Sequence, residues 1–308
     1  MNIAILGSTS QIAKNLIRFF RIDEQYKLFL FARNCQAVHK FLASTTGALE
    51  PQLLGFDEFL KGDYDVVINC VGIADPRKQK EAGVDIFLIT EHFDNLVLNY
   101  LFIHKDTIYI NFSSGAVYGT TFTSGVNEKS AATVAVNNIK SKDYYRIAKL
   151  NSEAKHRAVK DRKIIDLRVF SFFSRFIDLS SSFLVAEMVR SAKCGNIFET
   201  TREDIVRDYV APEDLWRLVL SCTKIQHVNS AFDVYSRKPV SKLELIAALT
   251  KNYALKVHYQ ESDTSASPTG QKNQYFSKNH RTEIELGYLP HFSSLDSINI
   301  EVAAIMEL

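Results

Sequence analysis

An α/β fold is expected for this chain: a doubly wound parallel sheet covered by helices, with a smaller C-terminal lobe. Two patterns carry that expectation. Short runs rich in Ile, Val, Leu and Phe recur from residue 3 to residue 112, bounded by Gly, Asn, Asp and Ser and separated by stretches of helical periodicity. That β-α alternation belongs to a parallel sheet with helices on its faces. After Arg168 the alternation becomes irregular, which marks a second lobe. The length of 308 residues accommodates either one large domain or two lobes.

Hydrophobic residues at 46% and charged residues at 23% are ordinary for a soluble globular enzyme. A net charge of +2, from 37 basic and 35 acidic residues, gives no electrostatic case for nucleic acid or an anionic membrane. Cys35, Cys70, Cys194 and Cys222 lack CxxC or zinc-ligand spacing and read as reduced thiols of a cytosolic protein. Eight His without clustered spacing imply no metal. The N-terminus has no basic n-region and reads as a buried strand, not a signal peptide. No apolar run reaches the ~18 residues of a spanning helix.

Residues 3–6 are the first run. The chain then turns at Gly7-Ser8-Thr9-Ser10-Gln11-Ile12-Ala13 and enters a helical pattern through Phe20. In this context a turn holds a dinucleotide phosphate, because the amides of a helix start, here Gln11 and Ile12, and the helix dipole meet the pyrophosphate. The spacing is G-x-x-S-x-x-A. Gly7 makes the turn, Ala13 permits close helix–strand packing, and Ser10 stands where a second glycine would let the backbone approach closest. The Ser10 hydroxyl either donates to a phosphate or caps the helix.

A second run leads into Arg33, about 25 residues after Gly7, where NAD sites place an acid on the ribose 2′-hydroxyl. No acid occurs from Lys27 to Lys40. A guanidinium at that place pairs with a 2′-phosphate, so NADP(H) is favoured and NAD(H) stays open. An exposed strand-end arginine is the plain alternative. Asp57, after a third run at 52–56, either contacts adenine or caps a turn. Residues 65–72 form a fourth buried strand, and its C-terminal end at Cys70 and Gly72 lies where ligands bind in such sheets. Residues 85–102 are a long helix, apolar over a wide arc, with core on one side and a subunit contact on the other. The fifth strand, 108–112, runs into Ser113-Ser114-Gly115-Ala116-Val117-Tyr118-Gly119, whose hydroxyls suit a substrate carbonyl or alcohol.

Tyr145-Arg146-Ile147-Ala148-Lys149 puts a phenol and an ammonium one turn apart on one helix face. A phenol ordinarily titrates at about pH 10, and a neighbouring ammonium moves it toward neutrality. The pair is then a general acid/base for carbonyl chemistry. A surface helix carrying a Tyr and a Lys gives the same spacing.

Six pieces in order carry a resemblance: residues 7–13, 69–72, 113–119, 145–149 with Glu153, Leu167-Arg168-Val169-Phe170, and Arg207-Asp208-Tyr209-Val210 leading to Asp214. The chain resembles the extended short-chain dehydrogenase/reductases, the NAD(P)-dependent epimerase/dehydratase group acting on nucleotide sugars. The resemblance implies a Rossmann-like fold, a nucleotide-diphosphate sugar as substrate and a homodimer. It assigns Ser114 and Tyr145 to catalysis. Lys149 would lower the phenol pKa and bind the nicotinamide ribose, and Arg207 would bind the substrate diphosphate, with a salt-bridged surface arginine as its plain alternative. Ser113 and Arg175 would face the substrate.

The sequence also departs from the family. Ser10 replaces a glycine. Ser171, Ser174 and Arg175 stand where Asn, Gly and Pro are usual. Phe93-Asp94 replaces a small residue–Thr pair.

Farther on, residues 183–194 read as helix, 197–200 as extended, 231–235 as a strand, and 241–253 as a helix opened by a Ser241–Glu244 capping box. Residues 262–273 read as a polar loop near the substrate lobe, and 275–289 as an extended piece followed by a short helix. A dinucleotide domain of 1–170 with 206–236, and a substrate lobe of 171–205 with 237–308, follow.

The resembling 4,6-dehydratases carry an Asp-Glu pair after the catalytic Ser/Thr; Gly115-Ala116 occupy that place. Epimerase/reductases of the GDP-fucose synthase type place a Cys where Ala116 stands. What remains is a 4-ketoreductase or a C4 epimerase. An epimerase recycles tightly held NAD, whereas a reductase consumes NADPH, toward which Arg33 leans. The expectation is reduction of the C4 ketone of a nucleotide-activated 4-keto-6-deoxy sugar, with Tyr145 donating the proton. A non-catalytic NADP-binding sensor on the same fold stays open.

Overall fold

The computed structural model describes residues 1–225, 227–260 and 272–307. Its apolar runs become β1 (Asn2–Leu6), β2 (Lys27–Phe31), β3 (Gln52–Leu54), β4 (Val66–Asn69), β5 (Ile108–Ser114) and β6 (Lys163–Val169). Short strands β7 (Ser171–Phe172), β8 (Ile197–Thr201), β9 (Val206–Arg207) and β10 (Tyr209–Val210) follow, and β11 (Asn229–Val234) returns to the main sheet. That sheet has seven strands, all parallel, in the order β11-β6-β5-β4-β1-β2-β3. Strand order reverses between β1 and β4, so the crevice beyond their C-terminal ends is where this topology leaves room for a ligand. Strands buried on both faces need continuous apolar runs, which is what β1, β4 and β5 supply.

The connecting helices are α1 (Gln11–Phe20), α2 (Cys35–Ala43), α3 (Pro76–Ala82), α4 (Asp85–Ile103) and α5 (Tyr144–Ala158). One apolar cluster joins one face of the sheet to Leu16, Ile17 and Phe20 of α1 and Val38 of α2. Another, on the opposite face, holds Val97, Tyr100 and Leu101 of α4 against Leu6, Val67 and Tyr109. With 19 residues, α4 is long and apolar enough by composition to cross a membrane, contrary to the expectation that no such stretch exists. Polar residues interrupt its runs and hide the mean hydropathy. Here it lies on the sheet, with Ile86, Asp94 and Val97 buried and Leu88, Phe102 and Ile103 exposed.

The remaining helices are α6 (Leu184–Cys194), α7 (Pro212–Cys222), α8 (Lys242–Tyr253), α9 (Arg281–Leu286) and α10 (Ser294–Met306). A second apolar centre gathers Val185 and Met188 of α6, Leu245 and Leu249 of α8, and Ile298 and Val302 of α10. The capping box of Ser241 with Glu244 opens α8. Beside this centre, β12 (Val240–Ser241) and β14 (Gln274–Tyr275) flank β9, and β13 (Lys256–Gln260) pairs with β8. Leu286 and Tyr288, placed by the sequence reading in the second lobe, pack instead into the first cluster beside Val234 and Tyr235. Of the polar stretch 262–273, all but Lys272 and Asn273 lies outside the described residues.

Candidate active site

A cavity of about 710 Å³ opens at the C-terminal end of the sheet and reaches into the second lobe. The turn after β1 forms one wall. Gly7 has φ +75°, and a Cβ there would stand 3.0 Å from the Cys70 carbonyl carbon and the Val71 nitrogen, so only glycine brings the turn so close to β4. The Ser10 side chain accepts from the Ala13 amide at 3.2 Å, which makes it the N-cap of α1. Gln11 and Ile12 line the cavity, and their amides are among those a helix start leaves without intrahelical partners. The Gln11 amide nitrogen Nε2 is buried with no hydrogen-bond partner among the described residues. A donor-rich turn of this kind, with an unspent buried N–H, fits the phosphates of a dinucleotide.

Opposite this wall stands α5. Lys149 is buried and donates to the Phe112 carbonyl at 2.8 Å. A Cβ on Gly72 would lie 3.5 Å from Lys149 Nζ, so that strand end closes over the ammonium. The Ser114 hydroxyl lies 3.3 Å from Tyr275 Oη and accepts from the Ala116 amide at 3.2 Å, and Tyr145 lines the same cavity. The structure therefore brings Ser114, Tyr145 and Lys149 into one cavity with Ser10, Gln11, Ile12, Cys70, Gly72, Ser113 and Arg207.

Several expectations change. A phenol drawn toward neutrality by Lys149 is not found: burial raises the Tyr145 pKa, and the Ser114 hydrogen bond opposes it. Burial likewise pushes the Lys149 ammonium down, against the pull of Asp94, Asp166, Cys70 and Glu153. The Ser113 hydroxyl is spent on Glu153 at 2.6 Å. Arg175 lies outside the cavity lining and grips Glu301 of α10 with Nε at 2.9 Å and a terminal nitrogen at 2.8 Å, so it ties the lobe together and does not face the cavity. Arg33 and Asp57 are exposed and also lie outside the lining. Burial drives the Cys70 thiol far up, which leaves it a packing residue.

Arg207 lines the cavity, and no carboxylate lies within ion-pair distance of it among the described residues, so the salt-bridged alternative does not apply. Its neighbour Asp208 turns the other way, accepting from the Ser236 amide at 2.9 Å, and burial raises its pKa to about 6.

Tyr275 and Lys272 escaped the sequence reading. Both come from the segment that pairs with β9, and Lys272 sits 4.6 Å from the Tyr275 ring centroid. Burial, then Arg207, lowers the Lys272 pKa to about 8. No Asp or Glu is among the described lining residues, whereas Lys80, Lys142, Arg146, Lys149, Arg207 and Lys272 are. Such a cavity favours anions.

A Cβ on Gly115 would lie 2.5 Å from the Phe170 ring, so a larger residue at this turn requires that ring to move.

The family model described as NAD dependent epimerase/dehydratase family matches residues 3–234. The chain belongs to the NAD-dependent epimerase/dehydratase family. Among curated proteins, none matches the sequence. Solved structures similar to this family member include UDP-glucose 4-epimerase from Thermotoga maritima with UDP-glucose, at 16% identity and TM-score 0.80, covering 100% of this chain and 99% of the other. UDP-glucuronic acid 4-epimerase from Bacillus cereus, in complex with UDP-glucuronic acid and NAD, gives 16% identity and TM-score 0.82, with coverage of 100% and 99%. The dTDP-glucose 4,6-dehydratase of Bacillus anthracis with NAD gives 15% and 0.78, with coverage of 98% and 96%. At these identities the likeness concerns the fold.

Proposed function

We propose that this epimerase/dehydratase family member reduces the C4 ketone of a nucleotide-activated 4-keto-6-deoxy sugar with NADPH. The carrying observation is the cavity that holds Ser114, Tyr145 and Lys149 together, with cations and no carboxylate among its described lining residues. The turn at Gly7, the Gln11 and Ile12 amides and the Gln11 side chain would hold the cofactor pyrophosphate, and Lys149 the nicotinamide ribose. Reduced nicotinamide bound there supplies a hydride. Arg33 lies two residues past Phe31, whose carbonyl accepts the Gly7 and Ser8 amides at 3.0 and 3.1 Å, which supports a 2′-phosphate contact. Arg207 and Lys272 take the substrate diphosphate. The Tyr145 phenol gives its proton to the sugar oxygen as it gains charge, and Ser114 donates to the same oxygen. A phenol held protonated by burial suits this donor role.

Reversible oxidation at C4, an epimerase, is the second reading, favoured by the likeness to UDP-sugar 4-epimerases. A second copy of the chain would cover the exposed Leu88 and Phe102 of α4, and sedimentation velocity reads that directly.

The deciding assay follows NADPH and NADH consumption against a panel of nucleotide-linked 4-keto-6-deoxyhexoses, wild type beside Tyr145→Phe. NADPH loss that falls roughly 10²–10⁴-fold in the variant supports the reductase. C4 interconversion with no added cofactor and no net reduction supports the epimerase instead.

A further inference from the structure

Behind α5, on the side facing the sheet, lies a set of charges that the proposed chemistry does not use. His156 is fully buried, with Nε2 2.6 Å from Asp94 Oδ1 and Nδ1 2.9 and 3.0 Å from the two Asp166 oxygens. Ionised carboxylates only accept, so both ring nitrogens carry hydrogen and the ring is an imidazolium. Lys155 pairs with Asp94 at 2.7 Å and Arg157 with Asp166 at 2.5 Å.

From this centre hydrogen bonds run in two directions. Tyr109 donates to Asp94 at 3.1 Å and accepts from Asn69 at 3.0 Å, and the Asn69 side chain accepts the amide of Val71 in the cavity wall at 3.0 Å. Asn111 donates to Asp166 at 2.7 Å, and the next residue, Phe112, offers its carbonyl to Lys149. His156 follows Lys149 by two helical turns on the same face. Asp94 is also the residue that breaks the family's small residue–Thr pattern in α4.

We propose that the Asp94–His156–Asp166 cluster is a positioning element for the Tyr145–Lys149 pair, fixing the Lys149 ammonium against β5 by charge and by hydrogen bonds that reach the cavity wall at Val71. This rests on Tyr145 and Lys149 being the acid/base pair. Were the cluster only an anchor for α4 and α5, apolar side chains of similar volume would serve as well, because buried ion pairs are often no more stabilising than good packing. The charges around Lys149 and the cluster are Asp94 from α4, Glu153, Lys155 and Arg157 from α5, Asp166 and Arg168 from β6, with the titratable Tyr109 of β5 and Cys70 after β4. Burial works to strip the Lys149 proton, and the two aspartates are the foremost groups opposing it.

The test needs no substrate. Asp94→Thr/His156→Leu/Asp166→Val removes the three charges of the cluster, and Asp166→Asn removes one charge at nearly constant volume while keeping one of the two acceptor oxygens. Carbon-13 NMR of lysine-labelled protein follows the Lys149 ε-carbon against pH, with the resonance assigned from Lys149→Met. The expected result is a midpoint lower by about one unit or more in both variants, a tenfold loss of protonated lysine on the falling limb. An unchanged midpoint in a variant with native near-UV circular dichroism overturns the proposal. If the triple variant fails to fold, Asp166→Asn decides alone. Where hydride transfer is observed, both variants should lower kcat and move its pH profile in the direction of the lysine midpoint. Absence of hydride transfer in the wild type bears on the proposed reaction and leaves the lysine titration readable.

Discussion

Raising the pH from 7 to 10 should remove stability that depends on His156. Burial alone would push the imidazole pKa down; Asp166 and Asp94 outweigh it and carry it from 6.5 up to about 9. A folded-state pKa above the unfolded value gives stability that is full below the unfolded pKa and is lost as pH rises through the folded one. A rise of this size corresponds to on the order of 3 kcal/mol in full, of which roughly 2–3 kcal/mol disappears between pH 7 and 10. Wild type at two pH values would not isolate the effect. Lys272, lowered from 10.5 to about 8 by burial, titrates in the same window with the opposite sign and regains stability as pH rises. The comparison is therefore between two proteins. Urea unfolding of wild type and of Asp94→Thr/His156→Leu/Asp166→Val is measured at pH 7, 8, 9 and 10. The wild type should lose about 2 kcal/mol relative to the variant across that range. Parallel curves would refute the reasoning, since they would mean that His156 does not change protonation on unfolding there.

Three further outcomes follow from the geometry. Gly7→Ala forces a side chain into φ +75° and against the Cys70 and Val71 backbone, and should cost roughly 1–3 kcal/mol in chemical denaturation and weaken dinucleotide binding by fluorescence titration. Arg168→Met removes the partner that holds Glu153 through Nε at 3.0 and 3.1 Å and Tyr118 at 2.7 Å; it leaves Glu153 and Asp233 buried without a guanidinium and should cost roughly 3–5 kcal/mol by urea unfolding. Arg33→Ala should weaken NADPH binding about tenfold with NADH unchanged, as loss of one charge-assisted contact would, and equal effects on both would remove the 2′-phosphate reading.

The parallel sheet was legible because strands buried on both faces write themselves as apolar runs, and α1 because a glycine turn and a serine cap announce it. Ser114, Tyr145 and Lys149 share a cavity for equally local reasons, a strand end and one helical turn. Local pattern could not place Arg175, because the carboxylate that captures it, Glu301, is 126 residues away. Tyr275 and Lys272 reach the cavity only through the parallel pairing of β14 with β9, a register that no periodicity encodes. The ionisation of Tyr145 departs from the expectation for a related reason: spacing gives the neighbouring ammonium but not the burial, which raises the phenol pKa against the Ser114 hydroxyl. His156 carries no local signal at all, because its partners Asp94 and Asp166 come from other elements.

The absence of carboxylates among the described cavity residues has a consequence for turnover. In the proposed reaction, substrate and product carry the same diphosphate, so Arg207 and Lys272 would hold both alike. Attraction shared by the two ends of a reaction deepens the well without lowering the barrier from its floor. These cations would therefore govern capture and residence time, make both sensitive to ionic strength, and leave discrimination between ketone and alcohol to the few ångströms around Ser114, Tyr145 and Tyr275.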